Sequence, residues 1–79
     1  MDFEKYQKQA EAELLKITEE EQLKNWKTKY LGRKSELSQY LKTLATLSPE
    51  ERRKQGPLAN DLRKKLEVIF NKKYQKLTL

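Results

Sequence analysis

The amino-acid sequence predicts an all-α protein, with a short N-terminal helix followed by a long antiparallel two-helix coiled-coil hairpin. Apolar residues recur at intervals of three and four, the spacing of one helix face. Sequences typical of helix starts occur near residues 18 and 48. Only two Gly and two Pro interrupt the 79 residues. Because charged residues (38%) outnumber hydrophobic ones (35%), we expect one small domain over residues 1–79 with a limited core.

The first helix is predicted over residues 2–17. Thr18 and Glu21 fit a capping box, in which the hydroxyl and the carboxylate each accept a hydrogen bond from the other residue's backbone amide. The first helix should therefore stop before Thr18. Its apolar face consists of Phe3, Tyr6, Ala10, Leu14 and Ile17.

The second helix is predicted over residues 19–46. Gly32 lies inside it and costs about 1 kcal/mol relative to Ala in a helix interior. The apolar phase is the same on both sides of Gly32, so we expect one long helix that is bent there. The apolar positions are Leu23, Trp26, Tyr30, Leu37, Leu41 and Leu44.

The third helix is predicted over residues 49–77. Ser48 and Glu51 form a second possible capping box, and Pro49 suits the first helical position. Gly56-Pro57 predicts a kink or local break around residues 54–57, because proline has no amide to donate. The second and third helices would each be roughly 40 Å long and would form the hairpin. The apolar face consists of Leu58, Leu62, Leu66, Ile69, Phe70, Tyr74 and Leu77.

Positive charge is concentrated after residue 21. Residues 1–21 carry a net charge of −4, whereas residues 22–79 carry +10, with fifteen Lys and Arg against five acidic residues. A dense field of one sign favours a polyanionic partner such as nucleic acid, although an ordinary solvated helical surface has the same composition. The basic clusters are Arg33-Lys34, Arg52-Arg53-Lys54, Arg63-Lys64-Lys65 and Lys72-Lys73.

Several classes of function are disfavoured by composition. The chain has no Cys and no His, so it offers no thiol or imidazole nucleophile, no disulfide and no zinc site of the usual ligands. Its apolar runs are too short for a membrane span. A self-contained enzyme is therefore not expected, and we predict no cofactor, no metal site and no membrane partner for this chain.

Two segments at a particular spacing resemble a known family. The first is Lys29–Leu37 (KYLGRKSEL), and the second is Leu47–Arg53 (LSPEERR), followed by Gly56 and by Leu58–Leu62 (LANDL). Together they resemble the N-terminal helical arm of bacterial-type phenylalanyl-tRNA synthetase alpha subunits, over about residues 19–77. The chain departs from that family in having Ser where the family usually has Gly, at position 35, and in having Pro at position 57.

The resemblance implies a tRNA-binding arm of a phenylalanine–tRNA ligase, a class II aminoacyl-tRNA synthetase. The family's enzyme is a cytoplasmic (αβ)2 heterotetramer, in which the alpha subunit pairs with a beta subunit. It uses ATP and magnesium in a catalytic domain that follows the arm. This chain would then be a fragment of a larger subunit, without catalytic residues. The arm would contact the outer, elbow side of the tRNA.

Exposed basic residues are the candidates for tRNA contact, and Arg ranks above Lys because it can bind phosphate through two donors. Trp26, Tyr30, Phe70 and Tyr74 have the spacing of packing residues rather than of base-stacking residues, and Tyr40 is the ring that we expect to be most exposed. The candidate tRNA-binding residues are Arg33, Lys34, Arg52, Arg53, Lys54, Arg63 and Lys64.

Two other interpretations stay open at this point. A coiled-coil protein–protein interaction module would have the same apolar seams and would dimerise through them. A helical arm of the seryl-tRNA synthetase type would use the same electrostatics on RNA, although the Tyr-Leu-Gly-Arg-Lys segment argues against it.

Overall fold

The computed structural model describes residues 2–78, and it confirms the all-α class. The chain forms four α-helices and one 3-10 turn in that range. We number the helices in chain order. Their bounds are α1 Phe3–Leu15, α2 Glu20–Leu31, α3 Glu36–Thr43 and α4 Pro49–Thr78, with the 3-10 turn at Leu44–Thr46.

Helices α1, α2 and α4 pack side by side. The Tyr6 hydroxyl donates to the Tyr30 carbonyl oxygen at 2.9 Å, and Trp26 Nε1 donates to the Ala10 carbonyl oxygen at 2.9 Å. These two contacts make α1 antiparallel to α2. The Trp26 ring also stacks on Phe70, with 6.0 Å between ring centroids, and this contact joins α2 to α4. The result is an elongated body of 45 × 18 × 18 Å, as long as the 30-residue helix α4.

The core lies along the line where these three helices meet. Helix α1 contributes about as many buried side chains as α2 or α4, and two of its backbone or side-chain groups bond directly to aromatic residues of α2. The predicted two-helix coiled-coil hairpin is therefore not confirmed as the unit of packing, because α1 packs as a third helix against the apolar faces of α2 and α4. The buried hydrophobic residues are Tyr6, Ala10, Leu14, Ile17, Leu23, Trp26, Tyr30, Leu37, Leu44, Ala59, Leu62 and Leu66.

The prediction of one helix over residues 19–46 is wrong. Helix α2 ends at Leu31, and Gly32 takes an extended conformation with φ −72° and ψ 168°. A Cβ added to Gly32 would collide with the backbone carbonyl oxygen of Thr28, so this helix end requires glycine. Tyr30 and Leu37, which flank the break, are nevertheless buried in the same core.

The first predicted capping box is also wrong. Helix α2 is preceded by Glu19, whose side chain makes no capping hydrogen bond. The Thr18 backbone amide instead donates to Gln22 Oε1 at 3.0 Å. Gln22 therefore accepts the hydrogen bond that was predicted for Glu21. The second box is confirmed in one of its two bonds, because Ser48 Oγ accepts from the Glu51 amide at 3.4 Å.

Helix α4 runs through Gly56-Pro57 without interruption, so of the predicted kink or local break, the break is wrong. Proline at position 57 removes the hydrogen bond to the Arg53 carbonyl. Pro57 and Arg53 are both exposed, and water can therefore satisfy that carbonyl. Gly56 has no Cβ to meet the proline ring, which relieves the usual clash between a proline and a preceding helical residue.

Candidate nucleic-acid interface

Arg33 and Lys34 occupy the short turn between α2 and α3. Ser35 is buried and caps the start of α3, with its Oγ accepting from the Ser38 amide at 3.2 Å. Ser38 Oγ in turn donates to the Gly32 carbonyl oxygen at 2.7 Å. These bonds tie the two ends of the turn together, and both basic side chains between them are exposed. Ser35 therefore helps to hold this turn.

Lys34 lies beside α1 rather than beside α4. It borders a shallow groove together with Asp2, which caps α1, Lys5 and Gln9 of α1, and Tyr40 of α3. No described contact joins it to the basic residues of α4. The seven candidate residues thus fall into two groups, the turn pair and the five residues of α4.

The cluster Arg52–Lys54 lies in the first turns of α4. The Arg52 guanidinium donates from Nη2 to the Leu47 carbonyl oxygen at 3.3 Å, which folds it back onto the preceding turn. Arg53 and Lys54 are exposed. The acidic residues Glu50 and Glu51 stand in the first turn, nearer to the positive end of the helix dipole. The basic cluster therefore begins just beyond the part of the helix that disfavours cations.

Arg63 and Lys64 lie near the middle of α4, three turns after the first cluster. A separation of eleven residues brings two side chains back to nearly the same face, about 16 Å apart at 1.5 Å per residue. Arg52, Arg53 and Lys54 are thereby matched by Arg63, Lys64 and Lys65. Lys65 was not among our candidates, although the repeated basic triplet is visible in the sequence.

Most of the candidate side chains have no acidic partner among residues 2–78. The exception is Arg63, whose Nε lies 4.0 Å from Glu67 Oε1. Exposed cations that are not paired within the protein are free to bind phosphate without first losing an internal ion pair. Those without an ion pair to a described residue are Arg33, Lys34, Arg52, Arg53, Lys54 and Lys64.

The aromatic residues of the core are not available to stack on bases. Trp26 and Tyr30 are buried, as the sequence predicted. Phe70 is partly buried between Trp26 and Tyr74. The expectation that Tyr40 is the most exposed ring is wrong, because Tyr40 is partly buried edge-on against Phe3, whereas Tyr74 is 48% exposed.

Glu13 joins α1 to α2 through its side-chain carboxylate. Its carboxylate accepts from Lys29 Nζ at 2.8 Å and from the Tyr30 hydroxyl at 2.5 Å. The hydrogen bonds from Lys29 and from Tyr30 hold the pKa of Glu13 below its ordinary value. Burial and the adjacent carboxylate raise the pKa of Tyr30, so its hydroxyl stays protonated and remains a donor.

Within residues 2–78, no group of three or more His, Cys, Asp or Glu side chains is placed to hold a metal ion. In the same range, no helix is both long enough and apolar enough to cross a bilayer.

Comparison with known proteins places this basic helical body in a class. Residues 18–79 match the family model described as "Aminoacyl tRNA synthetase class II, N-terminal domain". The match covers well over half of the chain, and the chain belongs to that family. No solved structure matches the chain.

Within that class, the chain is similar to alpha subunits of one synthetase. It is 46% identical over 63 residues to the phenylalanine–tRNA ligase alpha subunit of Caldanaerobacter subterraneus. The matched region covers 80% of this chain and 19% of the relative. It is 34% identical over 77 residues to that of Thermotoga neapolitana, over 98% of this chain and 24% of the relative. It is 41% identical over 68 residues to that of Clostridium tetani, over 86% of this chain and 20% of the relative. The matched regions thus cover about a fifth to a quarter of each relative's length.

Proposed function

We propose that this chain is the tRNA-binding arm of a phenylalanine–tRNA ligase alpha subunit. The observation that carries the proposal is the set of exposed cations on α4, at the start and the middle of one helix, in a chain whose relatives are alpha subunits of that ligase. These cations bind tRNA phosphates and release condensed counterions. A-form RNA hides its base edges in a deep, narrow major groove, so a helical arm recognises the backbone and overall shape.

The reaction itself belongs to the rest of the enzyme. By likeness to its relatives, we propose that the whole protein pairs with a beta subunit in the cytoplasm and joins phenylalanine to tRNA. By resemblance to the family, ATP and magnesium would act in a catalytic region outside this chain. The arm contributes affinity and orientation for tRNA, and it performs no chemical step.

The experiment is a salt titration of tRNA binding by the 79-residue chain. Each phosphate contact should contribute a slope of about −0.7 to −0.9 in log affinity against log salt. Replacement of the α4 cluster by Arg52→Glu, Arg53→Glu and Lys54→Glu should weaken binding by roughly tenfold or more and should flatten the slope.

The matched control makes the same change of charge in α1 and at the residue that follows it, by Lys5→Glu, Lys8→Glu and Lys16→Glu. All three lysines are exposed, so a diffuse electrostatic effect would weaken binding as much as the α4 variant does. Undiminished tRNA affinity in the α4 variant, with its helicity intact by circular dichroism, would contradict the proposed function. Dimerisation by sedimentation equilibrium without RNA binding would instead favour a protein–protein interaction module.

A further inference from the structure

One face of α4 points away from the core, and the exposed acidic residues Glu50 and Asp61 stand along its edge. We call it the outer facet and define it by Arg53, Pro57, Asn60, Lys64, Val68 and Asn71, which are all exposed. Their spacing of three and four keeps them on one side of the helix. Lys64 stands two residues from both Leu62 and Leu66, which are buried, and a step of two residues turns to the opposite side of a helix.

The outer facet repeats a cation and an amide at a fixed interval. Arg53 is followed seven residues later by Asn60, and Lys64 is followed seven residues later by Asn71. The second pair lies eleven residues after the first, or about 16 Å along the helix. All four side chains can donate hydrogen bonds, and none of these positions repels an anion.

The two basic triplets give three pairs of matching positions, eleven residues apart. The pairs other than Arg53 and Lys64 have different surroundings. Arg52 donates to a backbone carbonyl, and Arg63 lies near Glu67. Lys65 borders the shallow groove between α1 and α4 that includes Glu11, as does Lys64 at the edge of the outer facet. A step of one residue turns about 100° around a helix, so Lys54 and Lys65 stand to one side of Arg53 and Lys64. Only Arg53 and Lys64 lie opposite the buried Leu62 and Leu66 and beside the two amide donors.

We propose that the backbone of an RNA duplex lies along the outer facet, a refinement that rests on the proposed function of tRNA binding. Arg53 and Lys64 take phosphates, while Asn60 and Asn71 donate to phosphate or 2′-hydroxyl oxygens. The facet has no aromatic residue on which unpaired bases could stack, which disfavours single-stranded RNA. It also lacks the Trp and Tyr anchors that dominate protein–protein interfaces, and Arg53 is its one residue of an anchor type.

The test compares three double variants with the same change of charge. These are Arg53→Glu with Lys64→Glu on the outer facet, Arg52→Glu with Arg63→Glu, and Lys54→Glu with Lys65→Glu. Binding of tRNA and of a 16-base-pair RNA hairpin is measured at several salt concentrations, with oligo(U) as the single-stranded comparison. Because all six side chains are exposed and Glu is a good helix former, circular dichroism should show unchanged helicity.

The outer-facet variant should lose at least tenfold in affinity for tRNA and for the hairpin, and each of the other variants threefold at most. Its salt slope should fall by about 1.4 to 1.8, the value for two phosphate contacts. Equal weakening in all three variants, or a larger loss in either of the other two, would overturn the facet assignment while leaving tRNA binding intact. If the unmodified chain binds none of the RNAs, the proposed function fails as well.

The amides are tested without any change of charge. Asn60→Ala with Asn71→Ala should lower affinity for the RNA hairpin about threefold to tenfold and leave the salt slope unchanged, because neutral contacts release no counterions. The same variant should also lose preference for the RNA hairpin over a DNA hairpin of the same sequence, since only RNA presents 2′-hydroxyls. Unchanged affinity and preference would remove the amides from the proposal. Should the Arg53→Glu, Lys64→Glu variant lose helicity, Arg53→Gln with Lys64→Gln takes its place.

Discussion

At the scale of single residues, Gly32 is the position where an added methyl group should cost most. Its missing Cβ makes room for the Thr28 carbonyl oxygen, and this contact ends α2. We expect Gly32→Ala to lower the free energy of unfolding by about 1–3 kcal/mol, because backbone must move to admit the methyl group. In a domain of this size, thermal unfolding should shift downward by several degrees. An unchanged melting temperature would contradict the proposed helix end.

Glu13 should make stability depend on pH. Its pKa is lower in the folded chain than its ordinary value near 4.5. The unfolded chain therefore binds a proton more readily, so the stability from Glu13 is present at neutral pH and is lost as pH falls through the lowered pKa. We expect Glu13→Gln to melt below the unmodified chain at pH 7, and the difference to shrink by about pH 3. Glu4→Gln removes one exposed charge from the same helix and serves as control. A difference that grew on acidification would contradict the ion pair with Lys29.

At the scale of the helices, Pro57 is a site at which the fold pays a local cost. It lies in the interior of α4, where proline is unfavourable by about 3 kcal/mol relative to alanine. Pro57→Ala should therefore raise the free energy of unfolding by about 1–3 kcal/mol, because it restores the bond to the Arg53 carbonyl and removes no buried contact. Chemical denaturation of both chains measures the gain. A less stable variant would mean that the proline ring packs in a way that its exposure does not indicate.

Alanine at Gly56 and alanine at Gly32 should have opposite effects on stability. In the Pro57→Ala chain, alanine at position 56 meets no proline ring, and a Cβ there has nothing else within 4 Å. It should add about 0.5–1 kcal/mol of stability through helix propensity. The same substitution at Gly32 should have the opposite sign. Two losses or two gains would show that local propensity, rather than the contact with Thr28, decides the effect.

Helix boundaries show where the sequence was informative and where it was not. Ser48 and Pro49 marked the start of α4 correctly, because a cap and a helix-starting proline act locally. The break at Gly32 was missed because buried Tyr30 and Leu37 keep a seven-residue interval across it, and that interval also fits one continuous helix. The spacing of buried residues thus predicts which side of the chain faces the core. It does not predict whether the backbone between those residues is helical.

At the scale of the whole molecule, sequence reasoning missed the role of α1. Its apolar face was predicted correctly, but its partners were not. The hydrogen bonds from Tyr6 to the Tyr30 carbonyl and from Trp26 to the Ala10 carbonyl join different helices. A pattern within one stretch of sequence cannot predict such bonds. The candidate site was predictable as a set of basic residues. Their division between the turn and α4 depended on the helix packing, which Lys34 shows by its place beside α1.

Adjacent leucines on α1 allow this packing to be tested with a matched pair. Leu14 is 6% exposed in the core, whereas Leu15 is 81% exposed. Leu14→Ala should lower the free energy of unfolding by about 2–5 kcal/mol, the usual cost of emptying a packed leucine site. Leu15→Ala should change it by less than about 0.5 kcal/mol. Equal effects measured by denaturant unfolding would mean that α1 does not pack against α2 and α4.

Removal of α1 should then abolish independent folding of the remaining chain, even though the family match begins at residue 18. Helix α1 and the residues after it bury Tyr6, Leu14 and Ile17. At about 1.5–3 kcal/mol per large apolar side chain, their loss is comparable to the 5–15 kcal/mol that stabilises a typical domain. We expect residues 18–79 to melt without a cooperative transition and Trp26 fluorescence to shift to the red. Addition of a peptide of residues 1–17 should restore both, since the helix acts by packing. Cooperative unfolding of residues 18–79 alone would show instead that α2 and α4 form a self-sufficient hairpin and that α1 is an accessory.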